Sequence, residues 1–414
     1  MPPSPSRWHR ILQEPRGVVL GLCILWLGLQ ASAINPVLPI LITQFGGLDK
    51  AQVVVFFVIS TLAGMVWNLA TGHLSDGRVS RATIVLVGGL VAAVGTAGLT
   101  FAGPPVQLYF FGALVGGNMV LMSQFFAVAQ TSVMKSWTRG DRVVGITVLR
   151  TGFSLGFIVG TGLASLLLLW MDLRTLFWVM GVAWLALAGI AATVMVRTEA
   201  WARTQPGPAD EHSPGPDSGP TGGFSWGALV LPLAALALMQ GADRARLVYL
   251  PLVTFEAFHD AKWAPLLFGI TAATELVTMV VVGSLASRVG EKRTIFAGAL
   301  LGAGCFALMA LFPNLPMLFL TNILYAVFVA MLLGVAMAYI QGLLVHRPGL
   351  GGSLFLLTRN FGALIGTFVP LAVPGYSPAI FFLPGALCLA GALLMLGGSV
   401  PRFMTKGPRQ SILG

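Results

Sequence analysis

Two carboxylates, Glu275 and Asp243, stand midway along apolar stretches of the chain. An ionised side chain at the centre of a bilayer costs at least about 2.5–3.5 kcal/mol, so such groups need partners or a purpose. A carboxyl in these surroundings can gain or lose its proton as its neighbours change with conformation, which makes both residues candidates for proton coupling. Arg150 and Arg359 lie inside two other apolar stretches, and their rigid donor forks suit either a carboxylate or the hydroxyl oxygens of a solute. A permanent Glu275–Arg pair that only packs helices is the competing reading. Arg244 and Arg246 flank Asp243; residues two apart on a helix point to different faces, so at most one is expected to enter a common site.

A neutral polar set accompanies these charges: Gln30, Asn35, Asn118, Gln124, Gln240, Asn322, Gln341 and Asn360. Amides around a cavity, with an aromatic face such as Trp26 against C–H surfaces, would suit a polar solute. Each amide alone is as well explained by interhelical hydrogen bonding, worth about 0.6 kcal/mol on average. No Gly-rich phosphate loop, metal-spaced His/Cys set or Ser/His/Asp arrangement is found, so neither an enzyme nor a cofactor or metal site is expected. The histidines lie at termini or in loops, and Cys23, Cys305 and Cys388 fall in apolar runs without paired spacing, as small core residues do.

The elements that position these residues follow from composition. Of the 414 residues, 56% are hydrophobic and only 9% charged, far below a soluble domain. Spanning helices need roughly 20 apolar residues, and such runs recur between short charged or Pro/Gly breaks. They predict helices near 17–43, 51–71, 82–102, 107–134, 143–169, 175–196, 226–255, 264–286, 294–312, 317–344, 351–373 and 378–400. The reading is an all-α membrane protein of twelve transmembrane helices in two six-helix bundles. A short segment 1–16 precedes the first bundle, 17–196; a flexible linker, 197–225, joins it to the second, 226–400, and a tail, 401–414, follows. The linker is rich in Pro, Gly, Ser and acids and has no apolar face to bury. Arg7, Arg10 and Arg16 followed by Gly17–Leu29 mimic a signal peptide, but the apolar stretch continues to Thr43 and is expected to be the first helix.

Lys and Arg placement sets orientation. With the N-terminus inside, seventeen of the 24 lie in cytoplasmic segments, three (Lys50, Arg174, Lys262) on the opposite side, and four within the spans. The positive-inside rule therefore puts both termini in the cytoplasm of a multi-pass inner (plasma) membrane protein. The net charge of +10 resides in loops, so nucleic acid is not an expected partner. The expected partners are a small-molecule substrate, protons and the lipid bilayer, and a monomer is expected.

The halves are copies. Gly72 and the loop after it recur at Gly283, an offset of 211; Leu38-Pro39 recurs as Leu250-Pro251, Gln130 as Gln341, and Arg150 with Gly156 as Arg359 with Gly366. Matches in one order at nearly one offset indicate duplication. A parallel six-plus-six repeat with a site between halves is the layout of many secondary transporters.

The loop Gly72-His73-Leu74-Ser75-Asp76-Gly77-Arg78-Val79-Ser80-Arg81 resembles the major facilitator superfamily signature G-x-L-x-D-x-x-G-R-K, with Gly283 through Arg293 as its second copy. The first copy has Val79 in place of Gly; the second keeps Gly290 but has Ser287 for the acid. Gly72, Asp76, Arg78, Arg81, Gly283, Arg288 and Gly290 would form a latch holding one conformer of a rocking transporter. More narrowly, Leu29–Pro39, Gln124–Gln130, Val148–Arg150, Leu250-Pro251, Ala273–Glu275 and Gly334–Gln341 resemble the sugar efflux transporter family. That resemblance implies proton-driven export of sugars or sugar-like compounds, an antiport by rocker-switch alternating access, and singles out Glu275 as first proton carrier. The amides concentrate on helices 1, 4, 7 and 10, which would line the cavity in this superfamily. A multidrug or other metabolite exporter on the same scaffold is the alternative.

Overall fold

A computed structural model of the chain describes residues 14–75, 79–101, 103–135, 137, 139–204, 226–344 and 348–397. Among these it is all-helical. The first half contains α1 (Pro15–Gln44), α2 (Lys50–Ser75), α3 (Arg81–Gly98), α4 (Pro105–Val133), α5 (Arg139–Leu167) and α6 (Leu173–Thr204). The second contains α7 (Trp226–Phe258), α8 (Trp263–Val289), α9 (Glu291–Leu311), α10 (Leu315–Leu343), α11 (Pro348–Phe368) and α12 (Phe382–Gly397). Ten of these segments are long and apolar enough to cross a membrane, and α8, bent by 46°, makes an eleventh. The remaining helix, α7, is 33 residues long, about 50 Å at 1.5 Å per residue, and carries Asp243, Arg244 and Arg246 in its middle.

Local chemistry sets the ends and breaks. In α1 the helix is interrupted at 35–37, where Pro36 has no N–H to donate. Ser80 caps α3 by accepting from the Thr83 amide at 3.1 Å, and Asn314 caps α10 by accepting from Met317 at 3.0 Å. The turn between α8 and α9 passes through Gly290 at φ +99°, a conformation open to glycine and strained for other residues. Helices 4 and 10 both contain a π-helical stretch, Ala129–Val133 and Ala330–Val335.

The sixth helix continues to Thr204, so residues 197–204 of the expected linker are helical. Trp201 anchors this extension beneath the Arg16 guanidinium at 4.3 Å, and Lys135 donates to the Ala202 carbonyl at 3.2 Å. Residues 205–225, with Asp76, Arg78 and the tail from 398, lie outside the described residues.

Packing repeats the duplication. Helix α1 packs on α5, α2 on α4 and α3 on α6; in the second half α7 packs on α11, α8 on α10 and α9 on α12. The α1–α5 and α7–α11 pairs approach through glycine. A Cβ on Gly156 would stand 1.9 Å from the Leu25 carbonyl oxygen, and one on its repeat partner Gly366 would stand 2.0 Å from that of Gly241.

Candidate substrate and proton site

The halves meet through α5 with α8, α2 with α11, and the end of α1 with α7. Several ties lie at the end of the molecule away from the linker. Lys50 donates to the carbonyls of Val373 and of Gly375, the latter at 2.7 Å, and Ser165 donates to the Lys262 carbonyl at 3.2 Å. Deeper in, Arg244 reaches Thr61 at 3.5 Å and lies 5.2 Å from the Phe57 ring centroid. Thr61 is eleven residues into α2, about 16 Å along it, so the halves are joined from the far edge to mid-depth.

The ionisable residues converge at that depth. Glu275, twelve residues into α8, lies in the electrostatic field of Asp243, Arg150 and Arg246. Arg150 belongs to the first half and Glu275 to the second, so this neighbourhood crosses the interface. Arg359 of α11 is correspondingly a neighbour of Arg244. Arg150 and Arg359 each stand eleven residues after the first residue of their helices, and both are exposed. Among the described residues their guanidiniums donate to no protein acceptor.

Asp243 and Arg246 are organised more tightly. Arg246 is 2% exposed and sealed among α7, α8 and α10. Its guanidinium lies 4.1 Å from the centroid of Tyr325 and 4.6 Å from that of Phe268, and it donates to Asn322 Oδ1 and to Thr271 Oγ1 at 2.8 Å. Tyr325 donates its hydroxyl hydrogen to Asp243. Arg244 thus faces α2 while Arg246 faces inward, as their two-residue spacing requires.

Several expected solute-binding amides are engaged between helices. Gln30 donates to the Met180 carbonyl at 3.3 Å, Gln240 donates to Thr358 Oγ1 at 2.9 Å, and Asn322 serves Arg246. All three are buried. Gln124 is also buried, with its Oε1 atom unsatisfied by the protein. Asn35 is exposed at the break in α1; Trp26, Asn118, Gln341 and Asn360 are half-buried. Of the expected latch, Arg81 donates to Thr131 on α4, while Gly283, Arg288 and Gly290 are exposed around the α8–α9 turn. Among the described residues no group of three His, Cys, Asp or Glu has metal-site geometry, and the three cysteines are buried and free.

Thr61, Thr271 and Tyr325 were not picked out by sequence reasoning, and Lys50 only as a charge on the far side. Tyr325 had a readable signal, since it follows Asn322 by three residues and shares its helix face.

Residues 20–259 match the family profile described as Major Facilitator Superfamily. Among curated proteins, a putative sugar efflux transporter of Deinococcus radiodurans is 27% identical over 92% of this chain and 97% of its own length. Sugar efflux transporter A of Escherichia coli K12 is 22% identical over 84% and 86%. The fold is shared with the nucleoside transporter NupG, at TM-score 0.74 and 13% identity over 93% of this chain and 99% of that one. A peptide transporter POT in complex with alafosfalin superposes at TM-score 0.71 and 15% identity, over 95% and 98%. These relatives are transporters, not enzymes, and the profile covers more than half of the sequence: the chain belongs to the Major Facilitator Superfamily and is a transporter similar to sugar efflux transporters.

Proposed function

We propose that this protein exports a sugar or sugar-like polar solute in exchange for protons, by rocker-switch alternating access across the inner membrane with both termini cytoplasmic. The observation that carries the reading is that Glu275 on α8 is coupled electrostatically to Asp243 on α7 and to Arg150 on α5, where α5 and α8 pack across the halves at mid-depth. A proton bound there changes the charge balance between two rigid bundles, and so can bias which face they close. The far-side ties at Lys50 and Ser165 match a conformer closed outward. The relatives' names supply the solute class and the direction of transport. Glu275 is the first proton carrier and Asp243 the second; Arg150, Arg359 and the half-buried amides Asn118, Gln341 and Asn360 offer donors to the solute.

The test is proton-driven sugar flux into inside-out vesicles. Glu275→Gln is expected to abolish the drive while leaving counterflow of sugar without a proton gradient. Undiminished proton-driven flux in that variant would overturn the coupling assignment.

A further inference from the structure

The charged groups at mid-depth do not balance. Four guanidiniums, Arg150, Arg244, Arg246 and Arg359, share this region with two carboxylates, Asp243 and Glu275. Even with both carboxylates ionised, two positive charges are left over, and protonation of either raises the surplus. Arg246 is engaged by its two rings, Asn322 and Thr271, and Arg244 by Phe57 and Thr61, although the buried Nε of each donates to no protein acceptor. Of the four, Arg150 and Arg359 are the two that are exposed and, among the described residues, donate to no protein acceptor, so they are the two open to a solute.

Their placement is that of a built pair. Each stands eleven residues into its helix, about 16 Å along it, and each lies in the repeat position of the other. Arg150 lies on α5, which packs on α8 of the opposite half, and it shares the electrostatic surroundings of Glu275 there. Arg359 lies beside another cation, Arg244, and such a like-charge pair gains from an anion placed next to it. A guanidinium presents a planar fork matched to the oxygens of a carboxylate or phosphate, and two such forks on opposite halves can hold an anionic group where the halves close.

We propose that the cargo is an acidic sugar, bearing a carboxylate or phosphate group that Arg150 and Arg359 receive. This rests on the sugar-transport reading above and adds the charge of the solute. It also agrees with the energetics of export. A singly charged anion leaving against one entering proton moves two charges in the direction favoured by an inside-negative potential, each worth about fifty-fold in gradient at 100 mV, and a phosphate dianion adds a third.

Counterflow in proteoliposomes, which needs no proton drive, tests the idea with glucuronate, glucose 6-phosphate and glucose as probes. One of the two acidic probes should exchange at least tenfold faster than glucose, and which one identifies the head group. Arg359→Gln and Arg150→Gln should each remove that preference, and Arg359→Lys should keep part of it. Equal exchange of glucose and the acidic sugars by the unmodified protein would overturn the inference and leave the sugar reading standing. Exchange of none of the three would overturn both.

Discussion

Arg246 lies over the ring of Tyr325, 4.1 Å from its centroid, while the Tyr325 hydroxyl donates to Asp243. The phenol thus links a sealed cation to a carboxylate one turn away on the same helix, and does so from a different helix, α10. Asp243 is half-buried, so losing this donor leaves a carboxyl oxygen with poorer solvation. Tyr325→Phe keeps the ring under Arg246 and removes only that bond, at an expected cost of about 1–3 kcal/mol. Arg246→Met also strands Asn322 and should cost more. Thermal unfolding of the purified variants gives the order; an unchanged midpoint for Tyr325→Phe would show that the bond contributes nothing.

The glycine contacts between α7 and α11 permit a sharper comparison. A Cβ on Gly366 meets the Gly241 carbonyl at 2.0 Å, whereas one on Gly304 of α9 meets nothing within 4 Å. Backbone cannot rotate away as a side chain can, so Gly366→Ala must separate two helices also joined by Gln240–Thr358 and Tyr249–Thr367. The expected loss is about 1–3 kcal/mol. Gly304→Ala should be neutral or stabilising, by up to about 1 kcal/mol from the helix propensity of alanine. Equal melting of the two variants would refute the close-packing account.

The twelve-rod architecture was legible because each crossing needs a long apolar run, and the repeat was legible because charges and glycines recur at one offset. Arg150 and Arg359 were expected inside their spans; both stand eleven residues into helices that begin three to four residues before their apolar runs. The fate of the amides was not legible. Gln30, Gln240 and Asn322 have the same polarity as a solute-binding amide, and only the helix partners Met180, Thr358 and Arg246 distinguish the two uses. The end of α6 was also missed, since residues 197–204 are polar in sequence and are held helical by Trp201 and Lys135 across the fold.

Asp172, outside the spans, accepts from the Thr175 amide at 2.9 Å at the start of α6. The Thr175 hydroxyl first, and that amide bond second, hold its carboxyl below the ordinary carboxylate range. A depressed folded-state value means that the stabilisation is present above the unfolded value and is lost as pH falls through the folded one. Asp172→Ala should cost about 0.5–2 kcal/mol at neutral pH, as caps do, and the difference from the unmodified protein should shrink in acid. Melting curves across the acidic range check both the size and the sign.

Lys50 ties the halves together at their far edge. Its ammonium donates to two carbonyls of the segment after α11, Val373 and Gly375, and lies 5.6 and 5.7 Å from the ring centroids of Tyr249 and Tyr376. Its repeat partner Lys262 differs: the side chain pairs with Asp260 at 2.6 Å, and the tie to the first half runs through its carbonyl and Ser165. One side of the far closure is thus held by a charge and the other by a neutral bond. Lys50→Met removes charge-assisted bonds worth about 1.5–3 kcal/mol each at most, while Ser165→Ala removes about 0.5–1.5 kcal/mol. In a two-state transporter a loss of 1.4 kcal/mol shifts the closed-to-open ratio about tenfold. Spin-label distances between the start of α2 and the segment after α11 should therefore broaden toward an open population in Lys50→Met, far more than in Ser165→Ala. Lys50→Arg, which restores donors and charge, should recover most of the closed state. A closed population unchanged in Lys50→Met would show that apolar packing, rather than this ammonium, holds the far side shut.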